Sequence, residues 1–592
     1  MAALFTTPKR NDNTSGVHFA EPDVRRRTLL AHGSWRRVTR RIVAGAVCAL
    51  TVSSLLMPSV SLAAEWVDVG GTQYYAAAGD EAGTWSWDGA DDMKLNGYDG
   101  GTIKAAGKLN LSYGGDNTVT NNNGRGILVE DGANENAELN IQGGASDTLN
   151  VTSSSDAIIS IGDINIDGAG TVNATSTGFD AIDAKGDLII KGSGNVNATG
   201  DSDGIRAGGN ITIDNSGTVT AKAFEEKGIQ ANENLTIKGG GKVEASSIED
   251  EAIWASGNIE ISNASQVKAS SEEDYAVEAK GSLTVTNASL NATGVGYGIY
   301  VYEGITLDHA TVTVRASSDS DEVLALYTDE DDIVIKNGST VDAFAEGKFS
   351  VAISTRNCST NGAGGHIYIS DSVVKAIARY VETDGGPDHY SNDQGGEAIP
   401  EHKGVNLGIY ASTYEGITPA TISIVRSKVT AEGDTAAIFA LVTSEDGKAI
   451  GTIEIKDATI QTPAGGKVID YRSKGEFDDG GVFYEAGQTI GTGDATIDSP
   501  YDTAVAKSTV IAPPEETKPE EKPGETKPEG PKPGSKSEGT KMTKTVAVAT
   551  TGVKATGKLA ATGDVSSAVV VATALAGTAA IAAGAVVSRK RS

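Results

Sequence analysis

Two cysteines stand in 592 residues, Cys48 and Cys358, and aromatic side chains make up only 5% of the chain. Cys48 falls in an apolar run near the N-terminus that reads as part of an export signal, so Cys358 has no partner and no disulfide is expected to support the fold. Scarce aromatics beside 73 glycines suit a turn-dense β protein better than a helical one. Positive charge is short as well: 49 Lys and Arg oppose 79 Asp and Glu, a net charge of -30 with a pI near 4.6. Because the N-terminal region holds much of the arginine, the remainder is acidic throughout, which makes nucleic acid the wrong partner. Beyond the N-terminal region histidine is scattered, at His309, His366, His389 and His402, and forms no cluster that signals acid–base chemistry.

Long apolar runs are confined to the two ends. Residues 1–64 read as an export signal: Arg25, Arg26, Arg27, Arg36, Arg37, Arg40 and Arg41, then the apolar run Ile42 to Leu62, then a small-residue cleavage site at Ala63 or Ala64. At the other end Leu559-Ala560-Ala561-Thr562-Gly563 precedes the apolar stretch Val565 to Val587 and the basic tail Arg589-Lys590-Arg591. An apolar stretch halts an exported chain in the bilayer, and a basic tail resists translocation. This order resembles the LPxTG cell-wall sorting signal in its LAxTG variant, found in high-GC Gram-positive bacteria, with Ala560 in place of the usual proline. The resemblance implies that a sortase cysteine attacks the Thr562 carbonyl, releases Gly563 onward and joins Thr562 to a peptidoglycan amine. The expected location is therefore the extracellular face of the cell wall, with the C-terminus embedded in the membrane before cleavage. A plain C-terminal membrane anchor would leave the protein on the same face. Between body and anchor, residues 513–558 form a Pro/Glu/Lys-rich linker whose composition cannot bury a core and is expected to be disordered.

The body carries an internal repeat. Asp180-Ala-Ile182-Asp-Ala184, Asp203-Gly-Ile205-Arg-Ala207, Lys227-Gly-Ile229-Gln-Ala231, Glu251-Ala-Ile253-Trp-Ala255 and Tyr275-Ala-Val277-Glu-Ala279 begin 23, 24, 24 and 24 residues apart. Each is followed by two more short alternating segments, as in Leu188/Ile190 and Val196/Ala198. Period-2 alternation half-buries each segment, and no period of 3.6 is present, so helical solenoids are excluded. One unit cannot close a core, but stacked units place like residues over one another in aliphatic ladders roughly 4.8 Å apart. The expected fold is all-β: a right-handed parallel β-helix with three short strands per coil of about 24 residues. Weaker copies extend it over residues 101–467, through Ile103, Ile127 and Ile158 upstream and Ile299, Ser350-Val351 and Gly408-Ile409-Tyr410 downstream. Residues 65–100 and 468–512 are expected to cap the ends, and residues 378–403 to form a loop inserted in one coil.

Two surface features suggest chemistry. Acidic residues recur just before each first strand, and Asp201, Asp203, Glu226, Asp250, Glu251 and Asp274 should line one edge where like charges repel. Calcium, a hard cation taking oxygen ligands, would relieve that repulsion; the alternative is a solvated acidic ridge. On the outward positions Trp254 and Tyr300, with Tyr275, Tyr297 and Tyr302, make an aromatic cluster whose rings offer flat faces to sugars. The unit DGIxAxGxLxIxxGxVxA resembles that of secreted carbohydrate-binding proteins with a pectate-lyase-like β-helix, some of them calcium-containing. This resemblance implies polysaccharide or host-glycan binding by a surface adhesin. It also implies a competing reading, a calcium-dependent polysaccharide lyase with Arg206 as base; a third is a passive adhesin that binds host protein through the 378–403 loop.

Overall fold

The structure, a computed structural model, describes residues 64–132, 137–318, 322–357, 364–381, 405–414, 418–476, 480–493 and 505–514. The expected signal up to Ala63, the 513–558 linker beyond Pro514, the LAATG segment and the apolar stretch Val565 to Val587 lie outside them, as do Cys48 and Cys358. Among the described residues there is no helix, so none is long and apolar enough to cross a membrane.

The described chain is an all-β solenoid whose strands fall into three long sheets, here called faces one, two and three in the order each coil visits them. Face one stacks Ile158–Ser160, Ile182–Ala184, Ile205–Ala207, Ile229–Ala231, Ile253–Ala255 and Val277–Ala279 in parallel. The aliphatic ladder expected from the repeat is present residue for residue: Ile182, Ile205, Ile229, Ile253 and Val277 pair in register and are fully buried. Face two does the same with Leu188, Ile211, Leu235, Ile259 and Leu283, and face three with Val196, Val219, Val243, Val267 and Leu290. Each buried aliphatic side chain contributes roughly 1.5–3 kcal/mol. The polar sides of the strands also stack: on face three Asn197 Nδ2 donates to Asn173 Oδ1 and Asn173 Nδ2 to Asn150 Oδ1, both at 2.8 Å.

Most turns from face two to face three contain a left-handed residue, those after Gly143 and Asn215 being exceptions. Gly168, Gly192 and Gly239 supply it upstream, with φ of 124°, 103° and 94°, and Asn263 and Asn287 supply it farther on, with φ of 54° and 50°. Glycine and asparagine are the residues that reach this conformation at least cost, which explains their recurrence there.

Antiparallel strands close part of the parallel stack at each end, while face three begins with Asp99–Gly100 and face two ends with Thr452–Lys456, both parallel. Trp66–Val69 pairs antiparallel with Ile103–Ala106, while Val482–Gly491 runs antiparallel to Ala436–Ser444, and Ser508–Ala512 to Lys428–Glu432. Strand edges that would otherwise template further pairing are thereby used.

The downstream coils depart from the repeat. Past Tyr297–Val301 the strands of face one lengthen to Glu322–Thr328, Phe349–Asn357, Asn406–Tyr414 and Ala436–Ser444. The inward ladder runs Ile299, Leu326, Ile353, Ile409, Ile438, so Ile353 is the rung equivalent to Ile299, and Ser350-Val351 stands ahead of it. The added residues Leu324, Val351, Leu407 and Ala436 form their own column and enter a second apolar cluster with Tyr327, Tyr410, Phe439 and Tyr471. Ala378 and Arg379, expected in the inserted loop, belong to the strand Val373–Arg379, where Ala378 pairs with Ala345; residues 382–404 lie outside the described residues.

Candidate functional site

The outward column of face one carries the side chains that chemistry would use. In register it reads Asp183, Arg206, Gln230, Trp254, Glu278, Tyr300, Tyr327, Ser354, Tyr410, Phe439. With only three residues per upstream rung, long side chains on neighbouring coils close over short ones. Asp183 and Glu278 are consequently buried although they point outward. Each is paired, Asp183 with Lys185 and Glu278 with Lys280.

The acidic edge is partly exposed and partly buried. Asp156, Asp180, Asp203 and Glu251 are buried beneath the turns, and Asp201, Asp250 and Asp274 are half-buried; Glu226 stays exposed. Burial makes their charge costly, so partners and protons decide their state. Asp250, Glu251 and Asp274 are brought together, with one carboxylate oxygen from each within 4.8 Å of the others. Lys227 reaches this group, its Nζ 2.6 Å from Asp250 Oδ2 and 3.3 Å from Glu251 Oε2, and 3.6 Å from Glu226. One ammonium cannot balance so many carboxylates, and Glu251 responds: burial raises its pKa, and hydrogen bonds with Asp250 and Glu278 raise it further, so it holds its proton at neutral pH.

Asp203 sits apart from that group. Its Oδ1 accepts a 2.8 Å bond from the Lys227 amide, and its own amide donates to Asp180 Oδ1 at 3.0 Å. Burial, followed by the nearby charge of Asp180, pushes its pKa up to about 7. Asp201 is held through its backbone, donating to the Phe179 carbonyl and accepting from the Glu225 amide. A further trio, Asp156, Asp180 and Asp183, also converges within 4.8 Å. Here three carboxylates meet three cations: Arg125 Nε is 2.9 Å from Asp156, Arg206 is 3.6 Å from Asp180, and Lys185 pairs with Asp183. Arg206 is also 3.9 Å from Asp203. Burial acts to lower the Arg206 pKa, but Asp183, Asp180 and Asp203 outweigh it and raise the value, so the guanidinium stays charged and engaged.

The aromatic residues assemble more extensively than their sequence positions suggest. Tyr275 and Tyr297 meet edge to face at 4.6 Å between ring centroids, Tyr297 and Tyr300 at 5.3 Å, and Tyr275 and Tyr300 at 5.8 Å. Tyr300 then stacks on Tyr327 at 5.5 Å and 18°. Trp254 stands two coils before Tyr300 with Glu278 between them, half-buried, with Lys227 Nζ 5.9 Å from its ring centroid. Lys280 Nζ lies 5.7 Å from the Tyr300 centroid. Tyr302 is exposed at the following turn. The file continues beyond the expected residues: Tyr410 stacks on Phe439 at 6.0 Å and 16°, and Phe439 meets Tyr471 edge to face. Tyr327, Tyr410 and Phe439 escape a search for the 24-residue motif because their coils carry longer strands and irregular turns. The outward alternation beside Leu326, Ile409 and Ile438 is the signal that marks them.

No family model, curated protein or solved structure matches this chain.

Proposed function

We propose that this protein is a cell-surface display protein that binds polysaccharide or host glycan through face one. The observation that carries the reading is the aromatic file Trp254, Tyr275, Tyr297 and Tyr300 on one face of a chain with few aromatics. Sugar C–H faces stack on such rings, and sugar hydroxyls bond to a charged rim such as Lys227, Lys280 and the carboxylates beside them. The coils hold these groups at fixed spacing, which lowers the ordering cost of binding. A right-handed coil is part of the reading, because parallel crossovers take that hand in nearly all cases. Calcium at Asp250, Glu251 and Asp274 belongs to it too: three oxygen donors from adjacent coils suit a hard cation, in competition with Lys227 and the Glu251 proton.

On a glycan array, the double variant Trp254→Ala, Tyr300→Ala is expected to lose at least tenfold in affinity for whichever glycan the wild type retains. Unchanged affinity would remove the aromatic site. Blank arrays together with loss of cell adhesion on deletion of residues 382–404 would replace glycan with a protein partner.

Export and anchoring complete the proposal. The order of Leu559-Ala560-Ala561-Thr562-Gly563, Val565 to Val587 and the basic tail supports sortase transfer of Thr562 to peptidoglycan. In cells fractionated after muramidase digestion, Thr562→Ala is expected to move the protein from the wall to the membrane fraction. An unchanged distribution would leave the plain membrane anchor.

A further inference from the structure

Face one ends on the strand Lys467–Glu476, which pairs antiparallel with Val482–Gly491 from Lys467 against Gly491 to Glu476 against Val482. Among the described residues no strand pairs with its other side. Ten residues of strand extend roughly 33 Å, and an open edge of that length is a template for one more strand. Charge is the usual means of blunting such an edge. This one carries Asp470, Arg472 and Lys474, all exposed and, by the period-2 alternation, all on one side of the strand. Ile469 and Tyr471, on the other side, are buried.

The signs of these charges discriminate among the strands that could add. A second copy of the strand laid parallel and in register sets Asp470 beside Asp470, Arg472 beside Arg472 and Lys474 beside Lys474, three like pairs that repel. Laid antiparallel about Tyr471, it sets Asp470 of each copy opposite Arg472 of the other, and Val468 opposite Lys474. Sliding that pairing by two residues restores a like pair, Asp470 against Asp470 in one direction and Arg472 against Arg472 in the other. Sliding it by one turns the second copy's core to the opposite side of the sheet. The pattern therefore selects a single self-pairing, and it is the antiparallel one.

We propose that the outer edge of Lys467–Glu476 is a self-association surface, on which two copies of this chain join antiparallel about a two-fold axis at Tyr471 with reciprocal Asp470–Arg472 pairs. Such an interface is isologous, so it closes at two copies instead of growing into a filament. Main-chain hydrogen bonds along the added strand supply the affinity, and the charge pairs supply the register. The association does not depend on glycan binding by face one.

Sedimentation velocity of the full-length protein in density-matched detergent reads the association directly. The wild type is expected to sediment as a concentration-dependent mixture of one and two copies. Asp470→Arg and Arg472→Asp each set two like-charged pairs across the axis. Each is expected to weaken dimerisation at least tenfold while keeping the all-β circular dichroism spectrum. Combined in one chain, the two substitutions reverse both pairs and should restore the dimer. A wild type that stays monomeric overturns the surface, as does growth beyond two copies, and so do single variants that dimerise as the wild type does. Loss in the single variants without recovery in the double overturns the two-fold register. Should a single variant fail to fold, Arg472→Gln removes a charge without adding repulsion and is expected to weaken dimerisation several-fold; an unchanged dimer there overturns the charge pairing.

Discussion

Gly217→Val is expected to destabilise the solenoid by about 3 kcal/mol or more, as a lower urea midpoint or as loss of a single cooperative transition. A Cβ at Gly217 would lie 2.1 Å from the Gly194 carbonyl oxygen and 2.7 Å from that of Ser193. The same clash recurs along the column, at 2.2 Å for Gly194 against Gly170 and 2.3 Å for Gly241 against Gly217. These obstacles are backbone atoms of the adjacent coil, so no rotamer change relieves them. Relief would require two coils to separate, breaking the hydrogen bonds between them on all three faces. Because each coil contacts only its neighbours, the damage is local, and the parts on either side should unfold as more independent units. Gly240→Ala serves as the control. Its Cβ would meet nothing nearer than 3.9 Å, and only its φ of 81° opposes substitution, at roughly 1–2 kcal/mol. A Gly217→Val midpoint equal to that of Gly240→Ala would contradict the coil spacing described here.

Stability is expected to fall between pH 5 and pH 8, the reverse of a protein held together by ionised carboxylates. Asp203 has a pKa pushed up from 3.8 to about 7, and burial also raises those of Asp183 and Glu251. A carboxyl whose folded pKa exceeds its unfolded value keeps a proton on folding that the unfolded chain releases. Its contribution is fully present below the unfolded pKa and is lost as pH rises through the folded one. For Asp203 the window runs from about 4 to about 7, and the rise from 3.8 to about 7 corresponds to at most about 4 kcal/mol. Thermal melts at pH 5 and pH 8 should show the lower midpoint at pH 8, and Asp203→Asn should flatten the profile across that window. A midpoint that rises with pH would show that these carboxyls are ionised and paired in the folded state. Repeating the melts with calcium and with a chelator tests the Asp250, Glu251 and Asp274 group. Calcium that restores the midpoint at pH 8 would place the ion there, whereas insensitivity to both leaves Lys227 and the Glu251 proton as the relief.

How far the sequence could be read depended on whether a feature repeats. Ile182 to Val277 and their counterparts on the other two faces were readable because the 24-residue period and the alternation both point to one register. The coils carrying Leu326, Ile353 and Ile438 were harder to see: their strands lengthen and their turns vary, so the period dissolves while the alternation survives. Among the site residues, Asp250, Glu251 and Asp274 were named from sequence and do meet, and so were Tyr275, Tyr297 and Tyr300. The Asp156, Asp180 and Asp183 trio was not assembled from sequence, since Asp183 reads as an outward, solvated residue until the neighbouring Arg206 and the paired Lys185 close over it.

By itself the sequence determined the all-β coil, its three faces, the rung-by-rung aliphatic ladders and the acidic, aromatic character of face one, because a repeated pattern can bury its apolar residues in only one stacked register. Tertiary structure alone decided which carboxylates are buried, which cations balance them, and that the aromatic file runs on through Tyr327, Tyr410 and Phe439, with Ser354 at the register position between Tyr327 and Tyr410. Those outcomes depend on what lies one coil away, about 5 Å in space but 24 or more residues along the chain, where side-chain size and charge on neighbouring rungs set exposure and protonation.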